Sequence, residues 1–193
     1  YNNKYKSLGI HKFQLIKKKL NQFINDGILK KDNIASYYIY QKQNQLNTFT
    51  GIIGASSVKD YLDNKIKKHE QTLTKREKTF CEYLKTTNFN ADPVLLSHEP
   101  NKDIKDILKK YTNTRAEYEF TTTNKSLHKL LIVDKLKDIN IITNAFNKID
   151  NIYIADGHHR CASSALLSKN INSVLTSYFM CYLIEEDQLN ILN

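Results

Sequence analysis

One short segment constrains the fold of this chain more than any other: an apolar strand pattern that runs into a helical pattern through a single glycine. Residues 151–155 (NIYIA) have the β-branched and aromatic side chains of a strand, and residues 159–168 have the small side chains of a helix that packs closely on a sheet. Asp156 and Gly157 connect the two. Since the first N–H groups of a helix have no intrahelical partner and carry the positive end of its dipole, the turn favours an anion. We therefore predict a strand–turn–helix unit that binds a phosphate-bearing ligand, such as a nucleotide.

The side chains of this turn suit the same kind of ligand. Arg160 has a planar guanidinium that can hold a phosphate through two parallel hydrogen bonds. His158 and His159 add donors whose charge changes near neutral pH, and Gly157 lets the backbone approach a ligand closely. Asp156 has two candidate roles: it caps the helix, or it holds a magnesium ion between itself and a phosphate. We count it as a candidate catalytic and metal-binding residue.

Two other interpretations of the turn stay open. In the first, Asp156 is only an N-cap and the two histidines are exposed turn residues. In the second, Asp156, both histidines and Cys161 bind zinc, although their spacing matches no common pattern of zinc ligands. Two histidines and an arginine in one turn favour the phosphate-binding interpretation over both.

A second group of ionisable residues lies at positions 67–70 (KKHE), at the end of a strand predicted over residues 65–70. Adjacent ionisable side chains at a strand end suit acid–base chemistry. Because activation of a hydroxyl nucleophile needs one carboxylate within hydrogen-bond reach, Glu70 is the candidate general base. His69 and Lys68 are candidates to neutralise charge that develops on a transferred phosphoryl group. The alternative is a solvated strand end without a catalytic role.

Hydrophobic periodicity along the chain predicts an α+β fold with a mixed sheet, hairpins and packed helices. The predicted helices are 12–26, 74–87, 101–111, one that begins at Asp134, and 159–168; the predicted strands are 35–43, 48–58, 65–70, 93–97, 117–122, 127–133, 151–155 and 177–184. We expect a single domain over residues 1–193. The alternative division places a helix and hairpin in residues 1–64 and a phosphate-binding core in residues 65–193.

Finer features of the helices are also predicted. Thr74 and Glu77 form a capping-box pattern, Asn101 is placed to cap the third helix, and Asp134 the fourth. Spacing predicts an inner face for two of these helices: Phe80, Tyr83, Leu84 and Thr87 in one, and Leu136, Ile139, Thr143 and Phe146 in the other.

Composition narrows the function classes. The net charge is +9, but only Arg76, Arg115 and Arg160 of the 29 basic residues are arginine, and the lysines are spread along the chain. This pattern is typical of solvated helix faces, so binding to nucleic acid is disfavoured. The N-terminal stretch lacks the apolar region of a signal peptide, and the apolar run at 173–184 is too short to span a membrane. Three cysteines without a C-x-x-C pair suit a reducing cytoplasm.

Two stretches make the sequence recognisable. Residues 66–72 (IKKHEQT) and 153–167 (YIADGHHRCASSALL) resemble the bacterial and archaeal family catalogued as domain of unknown function 1015, and residues 50–61 (TGIIGASSVKDY) and 91–96 (ADPVLL) fit it too. Members of that family are longer, so we expect this chain to be an internal fragment of a longer protein.

The chain departs from the family pattern just after the K-H-E stretch. Leu73-Thr74 stands where many members have Arg-Pro, and Thr79-Phe80 stands where an Asp-Arg pair is expected. Any role of the usual residues therefore cannot be transferred to these positions.

The family looks related to the ParB/sulfiredoxin-like superfamily, which includes sulfiredoxin, CTP-hydrolysing ParB segregation proteins and a kinase that phosphorylates free serine. In that superfamily a G-x-H-R turn at a helix N-terminus holds nucleotide phosphates, and residues 157–160 match it. By analogy with the serine kinase, Glu70 is the base, ATP or ADP with magnesium is the cofactor, and a small hydroxyl compound such as a free amino acid is the substrate.

Three function classes follow from this resemblance. The first is a phosphotransferase, the second a nucleotide-binding module without turnover or with slow hydrolysis, and the third a ParB-like nucleic-acid-processing protein. A sulfiredoxin-type reductase is disfavoured because its cysteine precedes the histidine of the turn, whereas Cys161 follows Arg160. The oligomeric state is not predicted.

Overall fold

The computed structural model describes residue 9 and residues 11–189. This part of the chain contains six α-helices and eight strands. The helices are α1 His11–Asn25, α2 Val58–Leu62, α3 Thr74–Thr87, α4 Lys102–Thr112, α5 Leu136–Asn147 and α6 His158–Asn170. The strands are β1 Tyr37–Gln43, β2 Thr48–Ser57, β3 Ile66–Lys67, β4 Val94–His98, β5 Tyr118–Thr121, β6 Leu127–Val133, β7 Ile152–Asp156 and β8 Tyr178–Glu185.

All eight strands form one mixed sheet in the order β3-β7-β4-β8-β2-β1-β6-β5. The predicted hairpins are confirmed, since β1 pairs antiparallel with β2 and β5 pairs antiparallel with β6. Two pairs are parallel, β3 with β7 and β4 with β8. The α+β class with a mixed sheet is therefore confirmed, and strands from both sides of residue 64 belong to the same sheet.

Alternating apolar side chains on the central strands build the core. Ile39 on β1, Ile52 on β2 and Leu131 on β6 are buried together with Leu96 on β4. Helix α3 packs against both α1 and α6, and α4 packs against α5. Helices α3 and α6 position the candidate site, because both begin near the end of β7.

The second helix was not predicted. Sequence periodicity extended the second strand to Val58, but the hydroxyl of Ser57 accepts a hydrogen bond from the N–H of Lys59 and starts α2 there. The strand predicted at 65–70 is also shorter, because only Ile66 and Lys67 pair with β7. Residues 68–70, including Glu70, leave the sheet.

Two predicted caps are wrong, and one is confirmed. Leu73, not Thr74, is the N-cap of α3, and its side chain makes no capping bond. Lys135, not Asp134, is the N-cap of α5, again without a side-chain bond. The side chain of Asn101 does accept from the first amides of α4, as predicted.

The inner faces of α3 and α5 also differ from the prediction. Phe80 is 42% exposed and Leu136 is 71% exposed, although both were expected to face inward. In α5 the inner face includes Asp138, whose carboxylate accepts hydrogen bonds from the Lys110 ammonium at 2.6 and 2.8 Å and from the Tyr111 hydroxyl at 2.8 Å. The lysine holds the pKa of Asp138 below its usual range. A pattern that counts only apolar side chains misses a face that includes a paired carboxylate.

None of the helices in the described part of the chain has the length and apolar character that crossing a bilayer requires.

Candidate functional site

The turn after β7 has the geometry that the sequence predicted, with one difference. Gly157 adopts a left-handed conformation, with φ of 98°, and is the N-cap of α6. Asp156 is the last residue of β7 and does not cap the helix, so that part of the prediction is wrong. The N–H groups of Arg160 and Cys161 bond to the carbonyl of Gly157. The N–H groups that come before Arg160 in α6 have no intrahelical partner, and no side chain caps them.

A second helix begins beside the first. At the start of α3, the N–H groups of Arg76 and Glu77 bond to the carbonyl of Leu73, and no side chain caps the turn. The N–H of Leu73 itself donates to Nε2 of His159, at 3.2 Å. This bond ties the N-terminus of α3 to the N-terminus of α6, so the positive ends of two helix dipoles lie together.

The two N-termini border one cleft of about 660 Å³. It is lined by Glu70, Lys75, Arg76, Thr79, Phe80, Asp156, Gly157, His158, His159 and Arg160. Three cations and two carboxylates lie in this lining, apart from the histidines. The structure therefore brings together most of the predicted site residues, from both stretches that the sequence singled out.

The sequence analysis missed the contribution of α3 to the cleft. Lys75, Arg76, Thr79 and Phe80 all line it, and none was among the predicted site residues. Arginine is rare in this chain, so the presence of Arg76 in the first turn of a helix was the one available signal.

His158 is the most deeply buried ionisable group of the cleft, with 5% of the residue exposed. Its Nδ1 lies 3.5 Å from Oε2 of Glu70. Its ring packs edge-on against the ring of His69, with the two ring centres 4.4 Å apart. Its Nε2 is buried and has no hydrogen-bond partner among the described residues. Burial, assisted by the neighbouring His69, lowers the pKa of His158, although Glu70 opposes the shift. Burial therefore favours the neutral form of this imidazole, and its buried Nε2 is left without a partner among the described residues.

Arg160 is held by internal partners. Its Nη2 donates to Oδ2 of Asp156 at 2.7 Å, and its Nη1 lies 3.0 Å from Oδ2 of Asp92 and donates to the carbonyl of Pro93. Two carboxylates thus balance its charge. The guanidinium ties the turn after β7 to the start of β4 and forms part of the cleft wall.

Lys68 takes a different place from the other predicted residues. Its ammonium lies 5.1 Å from the centre of the Tyr61 ring, on α2, and Lys68 is not part of the lining of the cleft. His69 also reaches the cleft only through its contact with His158. Of the KKHE stretch, only Glu70 lines the cleft directly; its side chain is 61% exposed, so a substrate can reach it.

Metal ligands do not cluster in the described part of the chain: no group of three or more histidine, cysteine, aspartate or glutamate side chains is arranged to hold an ion. The described residues therefore do not arrange Asp156, His158, His159 and Cys161 as a set of zinc ligands. Cys161 is fully buried, and burial raises the pKa of its thiol to about 12. It packs into the core beneath α6 and does not face the cleft lining.

Comparison with known proteins agrees with the resemblance seen in the sequence. The family described as "Protein of unknown function (DUF1015)" matches residues 2–193. Neither the curated proteins nor the solved structures contain a match to the chain. Since the match covers nearly the whole sequence, including the cleft and both helix N-termini that border it, the chain belongs to the DUF1015 family.

Proposed function

We propose that the cleft between the N-termini of α3 and α6 binds the phosphate groups of a nucleotide. The observation that carries the proposal is the convergence of these two helix N-termini, neither of which has a side-chain cap. Uncapped amides need an acceptor, and the aligned dipoles favour one that is negatively charged. A phosphate supplies several strong acceptor oxygens at once.

Side chains around the two N-termini support the same ligand. Lys75 and Arg76 project from the first turn of α3, and His159 lies on α6 opposite them. Arg76 forms no ion pair with any described residue, so its guanidinium is available to an anion. Arg160 acts mainly as a positioning residue in this proposal, because Asp156 and Asp92 already share its charge.

The proposed activity is phosphoryl transfer to a small hydroxyl compound. Glu70 lines the cleft with a largely exposed carboxylate, and the buried neutral ring of His158 lies within 3.5 Å of it. In the proposed step, Glu70 accepts the proton of the hydroxyl, the hydroxyl oxygen forms a bond to the γ-phosphorus, and the nucleoside diphosphate leaves. Such reactions depend chiefly on positioning and charge stabilisation, which two helix N-termini provide.

The resemblance to the ParB/sulfiredoxin-like superfamily supports this proposal and directs the choice of substrate. The serine kinase of that superfamily makes a free amino acid with a hydroxyl group the first acceptor to examine. Of the two residues that the sequence offered for offsetting negative charge, His69 contacts the cleft residue His158, whereas Lys68 lies outside the lining of the cleft. The three free, buried cysteines support a reducing compartment, and we propose the cytoplasm.

No step of the proposed phosphoryl transfer is assigned to a magnesium ion. Two carboxylates line the cleft, Glu70 and Asp156, and Asp156 already accepts a hydrogen bond from Arg160. Among the described residues, no group of three or more potential metal ligands accompanies them. We propose that a magnesium ion arrives together with the nucleotide phosphates.

One observation favours a second candidate function, a nucleotide-binding module without turnover. The Arg160 guanidinium is engaged by three protein groups, so it is not free to move onto a transferring phosphoryl group. In that case the cleft binds phosphate and Glu70 serves only to orient His158.

The binding test compares thermal unfolding of the protein with ATP, ADP, CTP and GTP, each with and without magnesium. Ligand at about 100 times its dissociation constant stabilises a fold by roughly 2.7 kcal/mol. Arg76→Gln removes a cleft charge, and Lys109→Gln removes a charge from α4, away from the cleft. We expect the nucleotide-induced shift to fall only in Arg76→Gln. A shift that is absent, or that both variants reduce equally, contradicts the proposal.

The turnover test separates the two candidate functions. Wild-type protein is incubated with the nucleotide that binds and with free serine, and both the nucleoside diphosphate and the phosphorylated acceptor are quantified. Phosphotransfer predicts equal amounts of the two products, with a rate that falls by about 100-fold or more in Glu70→Gln while binding persists. Binding without either product, for every hydroxyl amino acid tested, favours the module without turnover.

A further inference from the structure

We propose that the apolar pocket between α1 and α3 receives the aromatic base of the nucleotide. This inference rests on the proposed function, because it assigns the second part of a ligand whose phosphates lie in the cleft. It adds the prediction that the protein prefers nucleotides to inorganic polyphosphates, and that the preference resides in a specific set of aromatic side chains.

The pocket has a volume of about 570 Å³, within the usual range for small-molecule sites. Most of its wall is apolar or aromatic: Phe13, Ile16, Phe80, Tyr83, Leu84, Phe89 and Ala91. The other six lining residues are polar or charged: Lys12, Thr79, Asn90, Asp92, Arg160 and Ser164. An apolar and aromatic wall with a limited number of polar groups is typical of sites for small molecules.

The pocket and the phosphate cleft are neighbours. Thr79, Phe80 and Arg160 line both of them. One molecule can therefore place phosphates at the helix N-termini and an apolar ring beyond this shared wall. A nucleotide has that division, with charge at one end and an aromatic base at the other.

Phe80 is the residue that points most clearly to a ligand. Its side chain stands at the boundary of the two cavities and remains 42% exposed, on a helix whose other exposed positions are largely polar. An exposed aromatic face beside an anion site is a platform on which a base can stack, and stacking tolerates any base.

Aromatic packing preforms another part of the pocket wall. Tyr83 meets Phe13 of α1 edge-on, with ring centres 5.6 Å apart, and meets Phe89 at 5.9 Å. Because these contacts hold α1 against α3, the pocket does not depend on a ligand to keep it open. A preformed wall lowers the entropic cost of binding.

Polar groups at the edge of the pocket suit the rim of a base. Asn90 and Asp92 follow Phe89 and line the pocket. Asp92 is held by Arg160 at 3.0 Å, so the residue that shapes the phosphate cleft also fixes an acceptor for the N–H groups of a base.

The test measures dissociation constants calorimetrically for tripolyphosphate, ATP and CTP with wild type, Phe80→Ala and Phe120→Ala. Phe120 is a matched control, since it is also an exposed phenylalanine, 56% exposed, but lies on β5 at the far edge of the sheet. We expect both nucleotides to bind more tightly than tripolyphosphate to wild type. Phe80→Ala should raise the dissociation constants for the nucleotides by about tenfold. Because Phe80 also borders the cleft but offers no polar group to a phosphate, the dissociation constant of tripolyphosphate should change by much less.

A second variant guards against an indirect effect of removing Phe80. Ala91→Trp places a large ring in the apolar pocket from a position that does not itself line the cleft, and it too should weaken the binding of nucleotides more than that of tripolyphosphate. If nucleotides and tripolyphosphate bind equally to wild type, or if Phe80→Ala and Ala91→Trp both keep the preference, the base pocket is wrong while phosphate binding stands. If no anion binds, the proposed function fails together with this inference.

Discussion

Nδ1 of His158 lies 3.5 Å from Oε2 of Glu70. The contact joins the turn after β7 to the stretch that leaves the sheet after β3, and these are the two places where the sequence concentrates ionisable residues. A buried neutral imidazole beside an exposed carboxylate keeps the carboxylate oriented toward the cleft without adding a permanent charge. The pair thus connects the phosphate site to the proposed base.

The stability of the fold should depend on pH through His158. Burial lowers the pKa of this imidazole in the folded state, whereas in the unfolded chain it returns to about 6.5. Below that pH the unfolded chain binds more protons than the folded one, so the free energy of unfolding falls as the pH falls. We expect wild type to lose stability between about pH 7 and pH 5 more steeply than His158→Asn, as measured by urea denaturation.

The control for this prediction is His11→Asn, which changes an exposed imidazole on α1 and should leave the slope of the wild type. Burial also lowers the pKa of His98, so the slope is reduced but not abolished in His158→Asn. Identical slopes in wild type and His158→Asn would show that His158 is not buried as a neutral group.

Gly157 should tolerate no side chain. Its φ of 98° is costly for any other residue, and an added Cβ would lie 3.2 Å from Cζ of Arg160. Gly157→Ala should therefore lower the free energy of unfolding by about 1–3 kcal/mol and weaken phosphate binding. Gly27→Ala is the matched variant, since Gly27 is also left-handed, at φ of 71°, but has no atom within 4 Å of its Cβ position. We expect it to lose stability without losing binding; equal effects on binding would contradict the assignment of the turn.

The cysteines should be unreactive in the folded protein. Burial raises the pKa of Cys161 to about 12 and that of Cys181 to about 11, and both side chains are fully buried. Because the thiolate is the reactive form, neither thiol should be alkylated by iodoacetamide at pH 8 in native protein, as read by mass spectrometry. Both should react once the chain is unfolded in guanidinium. Rapid native labelling of Cys161 would reopen thiol chemistry at this turn.

Local patterns predict many elements of this fold but not their arrangement. Helix α4 was predicted together with its Asn101 cap, because periodicity and the cap agree, and its buried side chains, Ile104, Ile107, Leu108 and Tyr111, have the helical spacing on which that prediction rests. The order of the sheet could not be predicted. Strand β4 pairs with β7 on one side and with β8 on the other, and such pairing between distant segments has no local signal.

The candidate site shows the same limit. Glycine in the strand–turn–helix predicted the N-terminus of α6, since a left-handed turn there needs glycine. The contribution of α3 to the cleft could not be predicted from the sequence. Leu73 caps that helix only through its backbone, and its hydrogen bond to His159 joins residues that are 86 positions apart in the chain. Phe80 was assigned to the core by its spacing, and the structure shows it at the boundary of two cavities.

The most direct test of phosphate binding between the two helix N-termini is a titration of ¹⁵N-labelled protein with ATP, followed by amide chemical shifts. The account predicts that the N–H groups of Thr74 and Lys75 in α3, and of His158 and His159 in α6, shift together and saturate at one dissociation constant. The first amides of α4, which Asn101 caps, should not move. Shifts confined to one helix, or spread over surface lysines without saturation, would contradict a phosphate site shared by α3 and α6.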